Sequence, residues 1–268
     1  MTFTLGSVTG KLARHTALIA ALALAGCSGL PDDETAGWDA NKLYSEAKSL
    51  MSKGDYEQAI KMFEKLEARY PYGRYAQQAQ LDTAYSYYKS KEPDLAVLSA
   101  ERFIKLHPNH SDVDYAYYLK GLANFNEDLG VLGNVINQDL TQRDPRAALE
   151  AFDAFRELVE RFPNSKYVAD ARLRMQYLVN SLAAHEIHVA RYYYKRGAYV
   201  AAVNRCQSVI ALYPNAPSHE EALFLLVASY DKLKLDTLRD DTERVLRQNF
   251  PNSKYFSKGT GEWWKRWN

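Results

Sequence analysis

The chain has 268 residues, of which 47% are hydrophobic and 25% charged, and its formal net charge is +1 at pH 7. A chain of this length can form one elongated domain or two small ones. Because the charge is nearly balanced, neither a nucleic acid nor a membrane surface held by a basic patch is expected as the main partner.

The first 26 residues have the pattern of a secretory signal. Lys11 and Arg14 precede an apolar run over 17–25, and small residues stand at its end. The run is about half as long as a membrane-spanning helix, so we expect it to be removed. Leu24-Ala25-Gly26-Cys27 resembles the bacterial lipoprotein box. This resemblance implies that Cys27 begins the mature chain and carries diacylglyceryl and acyl lipid; the alternative is a secreted protein with a chance Cys27.

The residues after Cys27 predict where the lipid holds the chain. Ser28 stands where an inner-membrane retention signal has Asp, which implies an anchor in the outer membrane on its periplasmic face. Residues 27–37 are short, acidic and poor in aromatic side chains, which predicts a flexible tether. The other cysteine, Cys206, lies in an apolar-periodic helix and is expected to be a buried structural thiol.

Helical periodicity dominates from 38 to 256 and predicts an all-α domain. Ala59, Ile60 and Phe63, for example, fall on one helical face. Five predicted helices end at a proline, and these prolines lie 37, 55, 51 and 37 residues apart. The shortest spacing is close to the period of the tetratricopeptide repeat, about 34 residues. We therefore predict a tetratricopeptide-repeat solenoid of about five helical hairpins, with Gly54 and Gly197 in the turns inside two of them.

Three segments depart from the regular repeat. An insertion over 127–143 has no clear period and is expected to be a loop or a short irregular helix. Asp144 and Pro145 predict an N-cap followed by a proline at the first helical position. The interval from Pro163 to Gly197 contains no other glycine or proline, which allows a helix of about 25–30 residues. Ser218 and Glu221 have the spacing of a capping box.

No pattern typical of a catalytic or metal site is present in the sequence. His185 and His188 are three positions apart rather than the four of the zinc protease motif, so polar residues on a long helix are the favoured interpretation. The sequence has no glycine-rich phosphate loop and no nucleophile elbow. We expect neither an enzyme nor a bound metal, and no cofactor apart from the lipid on Cys27.

Exposed tyrosines are the candidate binding elements. Tyr70, Tyr72, Arg74 and Tyr75 surround the turn that closes the first repeat. Tyrosines also occupy 192–194, and three consecutive aromatic residues cannot all face one side of a helix. Some of these rings are expected to fill repeat interfaces, and the others to line a groove for an extended aromatic peptide, with an arginine that pairs with its carboxylate.

The last residues, 257–268, form a basic tail rich in tryptophan. Its rings at Trp263, Trp264 and Trp267 suit a headgroup layer or a protein pocket, and a disordered tail is the alternative. The role of these three residues stays open.

Several strings over 27–256 resemble the BamD (ComL) family of tetratricopeptide-repeat lipoproteins. The most specific are Arg69-Tyr-Pro-Tyr-Gly-Arg-Tyr-Ala76, Arg102-Phe-Ile-Lys-Leu-His-Pro108, Asp114-Tyr-Ala-Tyr-Tyr-Leu-Lys-Gly-Leu122, Arg143-Asp-Pro145, Phe162-Pro-Asn-Ser-Lys-Tyr167 and Val200-Ala-Ala-Val-Asn-Arg205. The resemblance implies a non-catalytic scaffold of the outer-membrane β-barrel assembly machine. Family members dock on the periplasmic POTRA region of the barrel subunit BamA and bind the lipoprotein BamC where it exists.

The same resemblance implies roles for individual residues. Arg205 corresponds to the family arginine that contacts BamA, and we expect Tyr193 and Tyr194 to take part in partner binding. The first repeats, with Tyr70, Tyr72, Arg74 and Tyr75, are expected to receive the C-terminal strand of unfolded outer-membrane proteins. The alternative is a repeat lipoprotein of another envelope system, such as a secretin pilot or a cell-wall coordinator. An enzyme with a helical arm would need a catalytic domain for which 38–256 leaves no room.

Overall fold

The computed structural model describes residues 33–129 and 145–256, with only the backbone for 126–129, and in these ranges it contains ten α-helices and no β-strand. The predicted signal over 1–26, the lipid site at Cys27, most of the insertion over 127–143 and the tail over 257–268 lie outside the described residues. Trp263, Trp264 and Trp267 therefore lie outside them as well. Within the described ranges, the predicted all-α class is confirmed.

Consecutive helices form helical hairpins, and each helix packs against the next one along the chain. The helices are α1 (Ala40–Ser52), α2 (Tyr56–Arg69), α3 (Arg74–Lys89), α4 (Pro93–Leu106), α5 (Val113–Leu129), α6 (Arg146–Arg161), α7 (Val168–Lys195), α8 (Tyr199–Leu212), α9 (His219–Leu233) and α10 (Asp236–Asn249). The first helices of neighbouring hairpins also contact each other: α1 contacts α3, α3 contacts α5 and α7 contacts α9.

The second helix of each hairpin stops just before its proline. The residue before each proline caps the helix with φ between −122° and −132°, outside the helical region. A proline disfavours helical geometry in the residue that precedes it, so the sequence itself ends the helix there. Gly54 and Gly197 have φ of +81° and +76°, as predicted for the turns inside the first and fourth hairpins.

Counting back from each proline also identifies the buried positions of the second helix in each hairpin. The residue twelve positions before the proline is a fully buried alanine in the first four hairpins and Arg239 in the fifth. The residue eight positions before it is buried in those four hairpins and is Glu243 in the fifth. Small side chains allow the two helices to approach closely, and α10 instead carries charge at these positions. The buried residues at these two positions are Ala59, Ala96, Ala151 and Ala202, and Phe63, Ala100, Phe155 and Cys206.

Helix starts were predicted less well than helix ends. The long helix is confirmed, because α7 has 28 residues. The placement of Pro145 is wrong by one position, since α6 begins at Arg146 and Pro145 is its N-cap residue. The capping box is also wrong: Ser218 precedes α9 but its side chain makes no capping hydrogen bond. The Glu221 carboxylate pairs with Arg191 on α7 instead, so this side chain is directed towards the preceding hairpin rather than the N-cap.

The segment before α1 is ordered where a tether was predicted. Ala36 N donates to Asp33 O over 2.7 Å and Trp38 N donates to Thr35 O over 3.0 Å, so residues 33–38 form a turn. Thr35 is only 3% exposed. The prediction of a flexible tether over 27–37 is therefore wrong for 33–37, which fold back onto α2.

Candidate functional site

The first candidate surface is the turn between α2 and α3. Gly73 ends this turn with φ of +93° and precedes the first residue of α3, Arg74. Tyr72 stands out from the turn with 90% of its surface exposed, whereas Tyr70 is 38% exposed. The Tyr70 hydroxyl donates to the carbonyl of Trp38 over 3.0 Å, which turns its ring towards the N-terminal segment. Tyr70 therefore contacts the N-terminal segment, whereas Tyr72 faces solvent.

Arg74 and Tyr75 form one unit at the start of α3. The guanidinium carbon of Arg74 lies 4.8 Å from the centre of the Tyr75 ring, and its Nη2 donates to the Tyr75 hydroxyl over 3.1 Å. That hydroxyl donates to Oδ1 of Asn41 on α1 over 3.0 Å. Arg74 is exposed, so its remaining N–H groups can bind a carboxylate.

Behind Tyr75 lies a polar network in which Asp82 is the central group. The Tyr44 hydroxyl donates to Oδ2 of Asp82 over 2.8 Å, and Lys48 Nζ donates to the same oxygen over 3.2 Å. Burial, with the nearby Asp82 charge, raises the pKa of Tyr44 well above its usual range, so its hydroxyl stays a donor. The Tyr44 and Tyr75 rings lie 5.5 Å apart. The network fixes Tyr75 against α1 and so orients Arg74.

The second candidate surface is the hairpin of α7 and α8. Arg205 Nη1 lies 3.2 Å from Oε1 and 3.1 Å from Oε2 of Glu186 on the facing helix. The Arg205 side chain is 43% exposed and that of Glu186 17% exposed. The hydrogen bond to Glu186 raises the pKa of the Arg205 guanidinium further, and a hydrogen bond with Tyr193 adds to the shift. Arg205 is thus oriented by its neighbours and still open to solvent.

The three consecutive tyrosines of α7 differ in burial, as expected for a helix. Tyr192 is 52% exposed, Tyr193 half-buried and Tyr194 only 8% exposed. Tyr194 belongs to the hydrophobic core formed with α8 and α9, and its ring lies 5.4 Å from that of Tyr199. The prediction that Tyr194 contacts a partner does not fit this structure, because its ring faces the inside of the hairpin. Tyr193 remains on the surface beside Arg205.

Sequence reasoning missed Glu186, which orients Arg205. Glu186 and Arg205 are 19 residues apart and show no local motif. The turn at Gly197 separates them, with Glu186 eleven positions before it and Arg205 eight after, so pairing the two helices about this turn would have brought them together. The pair could therefore be predicted from the register of the hairpin, but not from the spacing of the two residues.

The described residues contain neither a metal-binding cluster nor a membrane-spanning helix. Among 33–129 and 145–256, no group of three or more His, Cys, Asp or Glu is arranged to hold a metal ion. Within the same ranges, every helix is too short or too polar to cross a bilayer.

Comparison with known proteins gives relatives that share almost the whole chain. The model of the YfiO family, described as outer membrane lipoprotein, matches residues 37–246. The outer membrane protein assembly factor BamD of Neisseria meningitidis serogroup B is 48% identical, over 92% of this chain and 96% of that protein. The protein of the same name from Vibrio cholerae is 35% identical, over 87% of this chain and 96% of its own.

Among solved structures, the crystal structure of MamA protein is 17% identical, covers 80% of this chain and 95% of its own, and has a TM-score of 0.38. The family match and the sequence relatives show that this chain belongs to the YfiO family of outer membrane lipoproteins, whose relatives include BamD.

Proposed function

We propose that this protein is a non-catalytic scaffold lipoprotein that assists the assembly of outer-membrane proteins. The observation that carries the proposal is the 48% identity, over 92% of this chain, to a protein named outer membrane protein assembly factor BamD. In this proposal Cys27 carries the lipid that holds the chain at the periplasmic face of the outer membrane. Two or more acyl chains anchor a protein firmly, whereas one chain does so only marginally.

The proposed docking surface is the α7–α8 hairpin around Arg205, with Tyr193 beside it. Its partner would be the periplasmic POTRA region of the barrel subunit BamA, and the lipoprotein BamC could bind the same scaffold. Both contacts of Arg205 with Glu186 are made through Nη1. A guanidinium has five N–H donors, so Arg205 can bind a partner carboxylate without leaving Glu186. Glu186 thereby reduces the entropy that Arg205 loses on binding.

The proposed substrate surface is the start of α3, with Arg74 and Tyr75 as its centre. An unfolded outer-membrane protein that ends in an aromatic residue and a carboxylate would place its ring near Tyr72 or Tyr75 and its charge at Arg74. The Asn41 contact holds Tyr75 in place, which supports this role. Tethering the scaffold to the membrane raises the effective concentration of the captured chain at the site of insertion.

Co-purification from outer membranes tests the docking surface. We expect Arg205→Leu to reduce recovery of the barrel subunit at least tenfold, because loss of a charge pair that is desolvated in a complex costs about 2–5 kcal/mol. The matched control is Arg196→Leu, since Arg196 lies in the same hairpin as Arg205, at the end of α7 and over the Tyr192 ring. Equal recovery with both variants, or recovery of a secretin or of peptidoglycan enzymes in place of the barrel subunit, would contradict the proposal.

A further inference from the structure

The end of α2 binds the segment that precedes α1. Arg69 Nη2 contacts the Asp33 carboxylate and donates to Oγ1 of Thr35 over 3.1 Å, while its Nη1 donates to the Thr35 carbonyl. Lys65 Nζ donates to Oδ1 of Asp33 over 2.9 Å. We call Asp33, Thr35, Lys65 and Arg69 the N-terminal clasp.

Two residues of the clasp, Asp33 and Thr35, are also hydrogen-bonded to each other. Asp33 Oδ1 accepts from Thr35 Oγ1 over 2.7 Å and from Thr35 N over 3.1 Å. These hydrogen bonds, with those from Lys65 and the charge of Arg69, hold the pKa of Asp33 well below its usual range. A carboxylate with several donors is ionised at neutral pH. Asp33 therefore carries the negative charge that pairs with Lys65 and Arg69.

The clasp continues into the first helix. The Tyr70 hydroxyl binds the Trp38 carbonyl, and Lys42 Nζ on α1 lies 4.3 Å from the centre of the Trp38 ring. Side chains from α2, from the residue after it and from α1 thus contact residues 33–38. This arrangement fixes the point at which the chain leaves the first hairpin.

The length of chain before the clasp limits where the lipid can be. Five residues lie between Cys27 and Asp33, and the six residue-to-residue steps of this stretch span at most about 20 Å even when fully extended. Tyr72 follows Arg69 by three residues, which adds at most about 10 Å. The tether therefore leaves the fold beside the α2–α3 turn, which joins the first hairpin to the second.

We propose that the N-terminal clasp holds the α2–α3 turn against the phospholipid headgroups, with the Tyr72 ring in the headgroup layer. The inference rests on the lipid proposed at Cys27. A tyrosine ring suits the boundary between headgroups and acyl chains because it is apolar with a polar tip. Tyr72 is 90% exposed, so its ring is free to enter that layer while Arg74 stays available for the captured strand. The captured strand would then meet Arg74 and Tyr75 at the membrane surface.

Spin labelling of the full lipidated chain tests this placement. A nitroxide at Tyr72→Cys is specific because Cys206 is buried and Cys27 is consumed by the lipid. The matched control is Asn109→Cys, since Asn109 is exposed and follows Pro108 as Tyr72 follows Pro71. In phosphatidylethanolamine–phosphatidylglycerol vesicles, collisions of the Tyr72→Cys label with a water-soluble nickel complex should fall at least about threefold, as for groups buried 5–10 Å into the interface. The Asn109→Cys label should stay accessible.

Variants of the clasp test its part in the placement. With the label at Tyr72→Cys, Arg69→Gln or Asp33→Asn should restore most of the accessibility, while the chain still floats with the vesicles. Lys61→Gln is the control because Lys61 lies on α2 outside the clasp, and unchanged thermal unfolding would verify that each variant is folded.

The outcomes separate this inference from the proposed anchor. A chain that does not float with the vesicles would overturn both the lipid at Cys27 and the placement of the turn. A chain that floats with the Tyr72→Cys label as accessible as the Asn109→Cys label would overturn the placement alone. Low accessibility that survives both clasp variants would overturn the role of the clasp.

Discussion

Gly121, in the middle of α5, lies against the fully buried ring of Phe155 on α6. A Cβ added at Gly121 would stand 2.6 Å from Cδ1 and 2.8 Å from Cζ of that ring. In an exposed helix a change from Gly to Ala would stabilise the fold by about 0.5–1 kcal/mol. At Gly121 the same change should destabilise the fold, because α5 and α6 touch where only the hydrogen atom of glycine fits.

We therefore expect Gly121→Ala to lower the free energy of unfolding by about 1–3 kcal/mol, as overpacked cores do. Urea denaturation followed by circular dichroism measures this change. The double variant Gly121→Ala/Phe155→Leu should recover part of the loss. A Gly121→Ala variant as stable as the original chain would show that α5 and α6 are not so close.

Cys206 occupies the core position eight residues before its proline, as Phe63 and Phe155 do in their hairpins. Burial raises the pKa of its thiol from 9.0 to about 12. At pH 8 the thiolate fraction of the folded chain is then about a thousandfold below that of the unfolded chain. Iodoacetamide should accordingly modify the folded protein slowly and the urea-unfolded protein fast, as mass spectrometry would show; equal rates would contradict the burial.

The raised pKa of Cys206 also makes the free energy of unfolding depend on pH. Below pH 9 the thiol is protonated in both states, so its contribution is fully present there. As the pH rises from 9 towards 12, only the unfolded thiol ionises, and the free energy of unfolding falls by about 1.4 kcal/mol per pH unit from this group. Cys206→Ala should flatten the pH dependence of unfolding in this range, and an unchanged slope would contradict the assignment.

Single residues also show where sequence reasoning reaches its limit. The burial of Cys206 follows from helical periodicity, which is local. The burial of Tyr194 rather than Tyr193 depends on how α7 is rotated against α8 and α9, and periodicity in a tyrosine triplet does not determine that rotation. The pairing of Arg205 with Glu186 likewise depends on the hairpin register.

Among the elements, identical local sequence gives identical turns. Phe-Pro-Asn-Ser-Lys-Tyr occurs at 162–167 and again at 250–255. In both copies the serine N–H donates to the phenylalanine carbonyl, over 2.9 and 3.0 Å. The tyrosine of each copy stacks on an aromatic ring of the preceding hairpin, with ring centres 4.6 Å apart for Tyr118 and Tyr167 and 4.1 Å for Phe224 and Tyr255. The hydrogen-bonded turn follows from sequence because its serine and phenylalanine are three residues apart, whereas the stacking depends on how the turn packs against the preceding hairpin.

Helix starts depend on whether a cap is made. Asp55 accepts a hydrogen bond from Gln58 N over 3.2 Å at the start of α2, whereas the Ser218 side chain makes none at the start of α9. Asp55→Ala should lower the free energy of unfolding by about 1 kcal/mol. Ser218→Ala is the matched variant and should change it by less than about 0.5 kcal/mol. Thermal unfolding of both compares them directly, and equal losses would contradict the capping assignment.

The fifth hairpin has the features of a terminal, capping repeat. Its helix α10 carries Arg239 and Glu243 where other hairpins carry buried residues, and Arg239 is paired with Asp231 and Asp236. Terminal repeats with a polar outer face keep a solenoid soluble and stop its growth. The weak repeat pattern of α10 in the sequence is thus the signature of a capping helix.

For the whole molecule, the proposed docking surface and the proposed substrate surface lie in different hairpins. Arg205 belongs to the fourth hairpin and Arg74 begins the second, with a complete hairpin between them. The repeat class, the number of hairpins and the family could be predicted from prolines, alanines and a few strings. The clasp at 33–35 could not, because Arg69 and Asp33 are far apart along the chain and the acidic segment has the composition of a tether.

In the cell, the two proposed surfaces should contact different proteins. A photo-crosslinking residue at Arg74 should capture unfolded outer-membrane proteins, and one at Arg205 should capture the barrel subunit, with Leu173 as an exposed control position on α7. Mass spectrometry of the adducts is the measurement that tests the account. Distinct partners at Arg74 and Arg205 are the predicted result; the same adducts at all three positions, or no outer-membrane protein at Arg74, would contradict it.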